Sequence, residues 1–243
     1  VLVDSSPVLA IDTATEWCSV ALALGPAVHE LSEQVGQKHS EQLLPMLDAL
    51  LRVRGVALAD CAAIAFGAGP GSFTGLRIAC AVAQGLAWGA ERPVLPIGNL
   101  EAIAWQAKAF VPSARRVAAV IDARMNEAYF AVVDVTGAVP LFLADPALAP
   151  AARLADALRD TAVDVLAGEG TEVFAAELAT LDVAQRLPQL RGGAGVIATL
   201  AQFAYAQGRA LPPEQAAPLY VRNHVALTID ERSARRAAAA TAA

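Results

Sequence analysis

The sequence predicts an α/β protein built from two related lobes with a cleft between them. Three observations predict it. Apolar runs of strand length alternate with longer helical patterns. The order strand–strand–strand–helix–strand–helix occurs twice, the second time in weaker form. A Pro-Ser break at Pro112-Ser113 separates the two copies.

In the first copy, Val8–Ile11 is a short apolar run ending in Asp12. Trp17–Leu24 and Val28–Val35 follow, separated by Gly25-Pro26, and complete a meander. Ser40–Arg54 reads as a helix with Ser40 as N-cap and Gly55 past its end. Ala62–Phe66 reads as a buried strand entering a glycine-rich loop, and Thr74–Glu91 as the helix after it, with Thr74 as N-cap. Val94–Ile97 is a strand and Leu100–Phe110 a helix. In the second copy, Val117–Ile121, Ala128–Val135 and Val139–Leu143 are strands, with Thr136-Gly137 as a turn. Leu148–Leu158 is a helix, Val163–Ala167 a strand, Thr171–Leu181 a helix and Gly195–Gln207 a final helix. The expected division is 8–110 for the first lobe, 114–208 for the second, 209–226 for an extended segment packing back on both, and 227–243 for a disordered tail.

Composition narrows the function. A chain of 243 residues, 56% of them hydrophobic, is long enough to bury a real core. A formal charge of −6 argues against direct nucleic-acid binding, which needs clustered Lys and Arg. Only the tail around Arg232, Arg235 and Arg236 is basic. Cys18, Cys61 and Cys80 cannot all pair and form no C-x-x-C, which fits a reducing, cytoplasmic compartment. No leader and no membrane span is expected.

Two helices carry more apolar surface than one sheet needs. In Thr74–Glu91 the clearly polar residues Arg77, Gln84 and Glu91 recur every seven positions and form one narrow strip. Ile78, Ala81 and Val82 lie outside it, and Gly85 and Gly89 would let another backbone approach closely. In Ser40–Arg54, Leu43, Leu44, Leu47 and Leu51 exceed a single core stripe, and Pro45 predicts a kink. The two helices either bury one another on their own sheet or form a protein interface.

The loops offer weaker chemistry. Gly69, Gly71, Ser72 and Thr74 lie where backbone amides could meet a phosphate. No Lys follows them, so this is not a Walker loop, and the spacing fails the dinucleotide pattern. A tight turn explains the glycines equally well. Asp12, Thr13 and Thr15 form the first strand–strand turn, where an ATPase of the actin type holds magnesium and phosphate, but Ala14 replaces a useful glycine. Asp122-Ala-Arg124 and Gly168-Glu-Gly-Thr171 are the corresponding second-lobe loops, the latter a candidate adenine cover. No cofactor is expected. His39 has Leu43 four residues on, so no helical metal pair forms and no metal is expected. No catalytic residue can be assigned, because nothing marks a nucleophile loop.

Several stretches resemble the TsaB (YeaZ) family: Val8-Leu-Ala-Ile-Asp-Thr-Ala-Thr15, His39-Ser-Glu-Gln-Leu-Leu-Pro-Met46, Gly69-Pro-Gly-Ser-Phe-Thr-Gly-Leu-Arg-Ile78, Ile121-Asp-Ala-Arg-Met-Asn-Glu-Ala-Tyr129 and Pro218-Leu-Tyr-Val-Arg-Asn223. The resemblance spans about Val8 to Ala226. It implies a two-lobed actin/sugar-kinase-like (ASKHA) fold, each lobe a mixed sheet flanked by helices, with the second lobe reduced. It implies a non-catalytic subunit in the formation of N6-threonylcarbamoyladenosine beside the tRNA anticodon. Such a subunit binds the catalytic paralogue TsaD, with the ATPase TsaE, and meets tRNA only through the complex. By resemblance the partner interface lies on Ser40–Arg54 and Thr74–Glu91, and a homodimer can form when the partner is absent. Asn126 stands where the family has a glycine; Asn tolerates the left-handed conformation, so the turn should survive. An older reading of such sequences as glycoproteases needs metal ligands that are missing beside His39. The alternative reading is a phosphotransferase or ATPase acting through Asp12, Thr13, Thr15 and the Gly69–Gly75 loop.

Overall fold

A computed structural model of the protein describes residues 6–222; the basic tail named above lies outside them. The chain forms two five-stranded mixed sheets. The first contains β1 (Val8–Asp12), β2 (Trp17–Leu24), β3 (Ala27–Gln34), β4 (Ala63–Gly69) and β5 (Val94–Gly98), in the order β3-β2-β1-β4-β5. The second contains β6 (Arg116–Asp122), β7 (Glu127–Asp134), β8 (Leu141–Pro150), β9 (Val165–Ala167) and β10 (Gln185–Leu187), in the order β10-β9-β6-β7-β8. Reversed, the second order matches the first strand for strand. In each sheet the leading strand pairs antiparallel with the second and parallel with the fourth.

β1 is apolar from Val8 to Ile11 because both of its faces are covered. Leu9 and Ile11 point into a core with α1 (His39–Arg54) and α2 (Phe73–Ala90). Val8 and Ala10 point into another core with α6 (Ala194–Ala206). β6 repeats the arrangement. Val117, Ala119 and Ile121 meet α3 (Asn99–Phe110), while Ala118 and Val120 meet the layer of α4 (Ala151–Arg159).

The lobes exchange a helix. α3, grouped by sequence with the first lobe, packs on β6, β7 and β9 as well as its own sheet. α6, grouped with the second, lies across β1, β2, β4 and β5. The two helices touch, so they form a shared layer between the sheets. The Ser19 hydroxyl accepts from the Ala194 amide at 2.9 Å and caps the entry of α6 from the first sheet.

Four local expectations need correction. α1 begins at His39, and Ser40 is inside it; the Lys38 carbonyl accepts from both the Glu41 and Gln42 amides, so the first turn closes without a side-chain cap. The N-cap of α2 is Ser72, whose hydroxyl accepts from the Gly75 amide, and not Thr74. β8 runs on to Pro150, so α4 starts at Ala151; a residue before proline favours extended backbone, which holds Ala149 in the strand. Thr171–Leu181 is not one helix: α5 (Gly170–Val173) ends after four residues and a 3-10 turn covers Glu177–Thr180. Phe174 and Leu178 are both buried four apart, a spacing that successive turns satisfy as well as a helix does. β10 was missed because three residues carry no readable period. The reduction of the second lobe lies in these short elements.

Candidate functional site

At the end of β1, Asp12 is buried. Its Oδ1 accepts from the Asn99 side-chain amide at 3.0 Å and from the Ala14 amide at 3.3 Å. Asn99 in turn accepts from the Gly69 amide at 2.7 Å, so one side chain ties the β1 turn to the glycine loop. Burial pushes the Asp12 carboxyl up to about 6, against the lowering effect of those hydrogen bonds. Thr13 donates its hydroxyl proton to the Gly75 carbonyl at 2.7 Å, and the Ser72 amide donates to the Ala14 carbonyl at 2.7 Å. Thr15 accepts from the Trp17 amide within its own turn.

The glycines are required by this closure. A Cβ on Gly75 would fall onto the Thr13 carbonyl oxygen, and one on Gly67 onto the Asp12 carboxylate. A Cβ on Gly71 would stand 2.8 Å from the Ala14 carbonyl oxygen. The structure therefore brings Asp12, Thr13, Gly69, Gly71 and Ser72 together, as the sequence suggested, but packs them against one another. Thr74 is exposed on the first turn of α2.

The second-lobe counterpart is closed differently. Gly168 and Gly170 pass so close to β6 that a Cβ on Gly170 would stand 2.7 Å from the Val120 side chain and 2.9 Å from its carbonyl oxygen. The loop read as an adenine cover is pressed onto the strand. Arg124 pairs with Asp122 at 3.0 Å, and Glu169 accepts from the Asp122 amide at 3.2 Å. Burial, with the Asp122 carboxylate adding to it, raises the Glu169 carboxyl above its ordinary range. Arg124, Met125 and Asn126 all have positive φ (63°, 58° and 60°), so Asn126 does take the left-handed conformation.

The two apolar helices lie side by side on one face of the first sheet. Leu43 and Leu47, expected at a partner interface, are 1% and 5% exposed and belong to the core; their side of α1 faces β2. Leu51, Ile78 and Val82 are partly buried at the rim of that core. Leu44 is 50% exposed, and Ala81, Gly85 and Gly89 are exposed on α2 with open space above both glycines. Trp88 is 60% exposed at the end of α2. It borders a concavity of about 330 Å³ shared with Pro93, Pro212 and Pro213. The outward surface is thus narrower than expected, but it remains apolar and small-residued.

The polar strip of α2 faces residues 209–222. The Gln84 amide donates to the Pro213 carbonyl at 2.8 Å, the Arg77 guanidinium lies 3.3 Å over Phe73 and 5.5 Å from Tyr220, and Glu91 borders the Pro213 concavity. Sequence reasoning missed these roles, as it missed Asn99. The one available sign was an Asn in the otherwise apolar Ile97–Leu100 stretch.

His39 is buried with its Nε2 unpartnered. Among the described residues no group of three or more His, Cys, Asp or Glu is arranged to hold a metal, and no helix is long and apolar enough to cross a membrane.

Fold and site define a class: a two-lobed α/β protein of actin/sugar-kinase architecture whose first strand–strand turn is packed against the glycine loop after β4. The family model for TsaD, tRNA N6-adenosine threonylcarbamoyltransferase, matches residues 31–210, and two solved YeaZ-type structures align over their whole length; the chain belongs to this family, in its TsaB (YeaZ) branch. YeaZ from Pseudomonas aeruginosa is 39% identical with a TM-score of 0.81, covering 88% of this chain and 99% of that one. A second P. aeruginosa structure, of a protein described as similar to the peptidase YeaZ, is also 39% identical, with a TM-score of 0.82 over 89% of this chain and 100% of that one. The tRNA threonylcarbamoyladenosine biosynthesis protein TsaB of Haemophilus influenzae is 50% identical over 125 residues, which cover 51% of this chain and 52% of the relative. TsaB of Escherichia coli is 46% identical over 127 residues, 51% of this chain and 53% of the relative. These matches span about half the length of the curated relatives.

Proposed function

We propose that this chain is a non-catalytic subunit in the formation of N6-threonylcarbamoyladenosine on tRNA. In this reading it docks on a TsaD-type transferase, with a TsaE-type ATPase in the same assembly, and meets tRNA only through them. The observation that carries the reading is the closed first-lobe turn. Asp12 is engaged by Asn99 and Ala14, Thr13 by Gly75, and the backbone at Gly67, Gly71 and Gly75 is packed onto Asp12, Ala14 and Thr13. A magnesium-nucleotide complex needs an accessible carboxylate and free loop amides at that place.

What remains open is a surface for protein. Leu44, Ala81, Gly85 and Gly89 form an outward face on which another helix could pack at close range. The same face can pair with a second copy through two-fold symmetry when the partner is absent. The names carried by the TsaB relatives support the pathway. Proteolytic chemistry plays no part in this role, and the buried His39 acts as a core residue.

The test is light scattering on a sizing column, for the chain alone and mixed with the transferase. A one-to-one complex that replaces any homodimer is the expected result. Independent elution across salt and nucleotide conditions would overturn it. Saturable, magnesium-dependent ATP binding lost in Asp12→Ala would instead favour the phosphotransferase alternative.

A further inference from the structure

Residues 209–222 leave α6 and run the length of α2 before reaching the second lobe. Leu211 exchanges two backbone hydrogen bonds with Val94, at 2.8 and 2.9 Å. Gln84 holds the Pro213 carbonyl, the Leu219 amide donates to the Ala68 carbonyl at 2.7 Å, and the Tyr220 ring sits 6.4 Å from that of Phe73. All of these anchors are on the first lobe.

Arg222 is anchored elsewhere. Its Nη2 donates to the Ala123 carbonyl at 3.0 Å and to the Glu127 carboxylate at 2.6 Å, and its Nη1 lies 3.9 Å from the Met125 sulfur. It thus touches every second residue of the β6–β7 hairpin. The residues it brackets, Arg124 to Asn126, are the three in left-handed backbone. That conformation costs roughly 1–2 kcal/mol per non-glycine residue in helical runs, and it persists only where the surroundings hold it. The hairpin's own bonds contribute, from the Glu127 amide to the Arg124 carbonyl and from the Ala123 amide to the Glu127 carbonyl, and the Ala151 amide at the start of α4 donates to the Asn126 carbonyl. Arg222 adds a charge-assisted clamp that is mostly shielded from water, its side chain 16% exposed.

We propose that residues 209–222 are a mechanical link between the outer face of α2 and the β6–β7 hairpin tip, with Arg222 as the coupling residue. The heptad strip Arg77, Gln84 and Glu91 is the track on which the link lies. Anything that displaces Pro213 or Tyr220 at α2 loosens the Arg222 clamp and frees a strained tip in the other lobe. The link is a property of the chain by itself and stands or falls independently of the function proposed above.

Hydrogen–deuterium exchange of the full chain, read peptide by peptide, tests it. Arg222→Ala and the milder Glu127→Gln should speed exchange at 123–127, the former by roughly tenfold, as loss of a charged hydrogen bond implies. The decisive variant is Gln84→Ala with Tyr220→Ala, which touches nothing in the hairpin. It should also speed exchange at 123–127 while the amides of the last turns of α4, Ala155 to Arg159, stay protected. An unchanged hairpin in that double variant reduces Arg222 to a local clamp and overturns the link. So does an unchanged hairpin in Arg222→Ala. A uniform acceleration that includes α4 also counts against it, since that reports lost global stability.

Discussion

The same position in the two lobes, the acid that ends the leading strand, is treated in opposite ways. Asp12 is buried, its carboxyl pushed up to about 6 by that burial, and sealed under a glycine loop. Asp122 stays near the surface, paired with Arg124 on a hairpin tip held in left-handed backbone. The first turn is packed with main chain, and the second carries a long cation on a tip of left-handed backbone. One topology thus holds two differently built turns at the same position.

The largest way to break this comparison is at Gly75. Gly75→Ala forces a Cβ onto the Thr13 carbonyl, and neither backbone can yield without unseating α2. A loss of about 3–5 kcal/mol is expected, at the upper end for single substitutions, measurable by denaturant unfolding. A mild effect would mean that the loop has room to move and that the site is not closed.

Asp12→Asn sharpens it, with the opposite sign. Both donors reach Oδ1, an atom that Asn retains. The folded-state value of about 6 lies above the ordinary 3.8. Between these values the native state holds a proton that the unfolded chain has released, so stability falls as pH rises from about 3.8 to about 6 and the loss is complete above that. The variant should be more stable than the parent at pH 7.5 by up to about 2–3 kcal/mol, and the gap should close by pH 4. Thermal melts of both proteins over that range would show it. A variant less stable at pH 7.5 would mean that the charged carboxylate makes favourable interactions that Asn cannot replace.

In the second lobe the smaller effect is Asn126→Gly, which removes a left-handed penalty. A gain of about 0.5–1 kcal/mol is expected, read from the same melts. A loss would show that the Asn side chain, and not the backbone alone, holds the turn.

Much of the fold was legible because it rests on strong periods. The apolar run of β1 from Val8 to Ile11, the long α2 and the meander of β1 to β3 all carry clear signals. The swapped positions of α3 and α6 were not legible, since a helix apolar on most of its circumference does not say which sheet it covers. β10 and the broken 170–181 segment are too short for any period to speak. At the site, the Gly69–Gly75 loop and Asp12 were found by residue type, but their closure depends on Asn99, thirty residues from Gly69 along the chain. On α1, composition could not separate Leu44, which is exposed, from Leu43 and Leu47, which are core. Only the helix phase against β2 decides that.

The most direct measurement is a calorimetric titration of the TsaD-type transferase into this chain and into its Ala81→Arg variant, with melting temperatures recorded for both. The account predicts that the parent binds, and that the variant binds at least roughly tenfold more weakly, about 1.4 kcal/mol, with its melting temperature unchanged. Equal affinity for both proteins, or no binding by either, would contradict it.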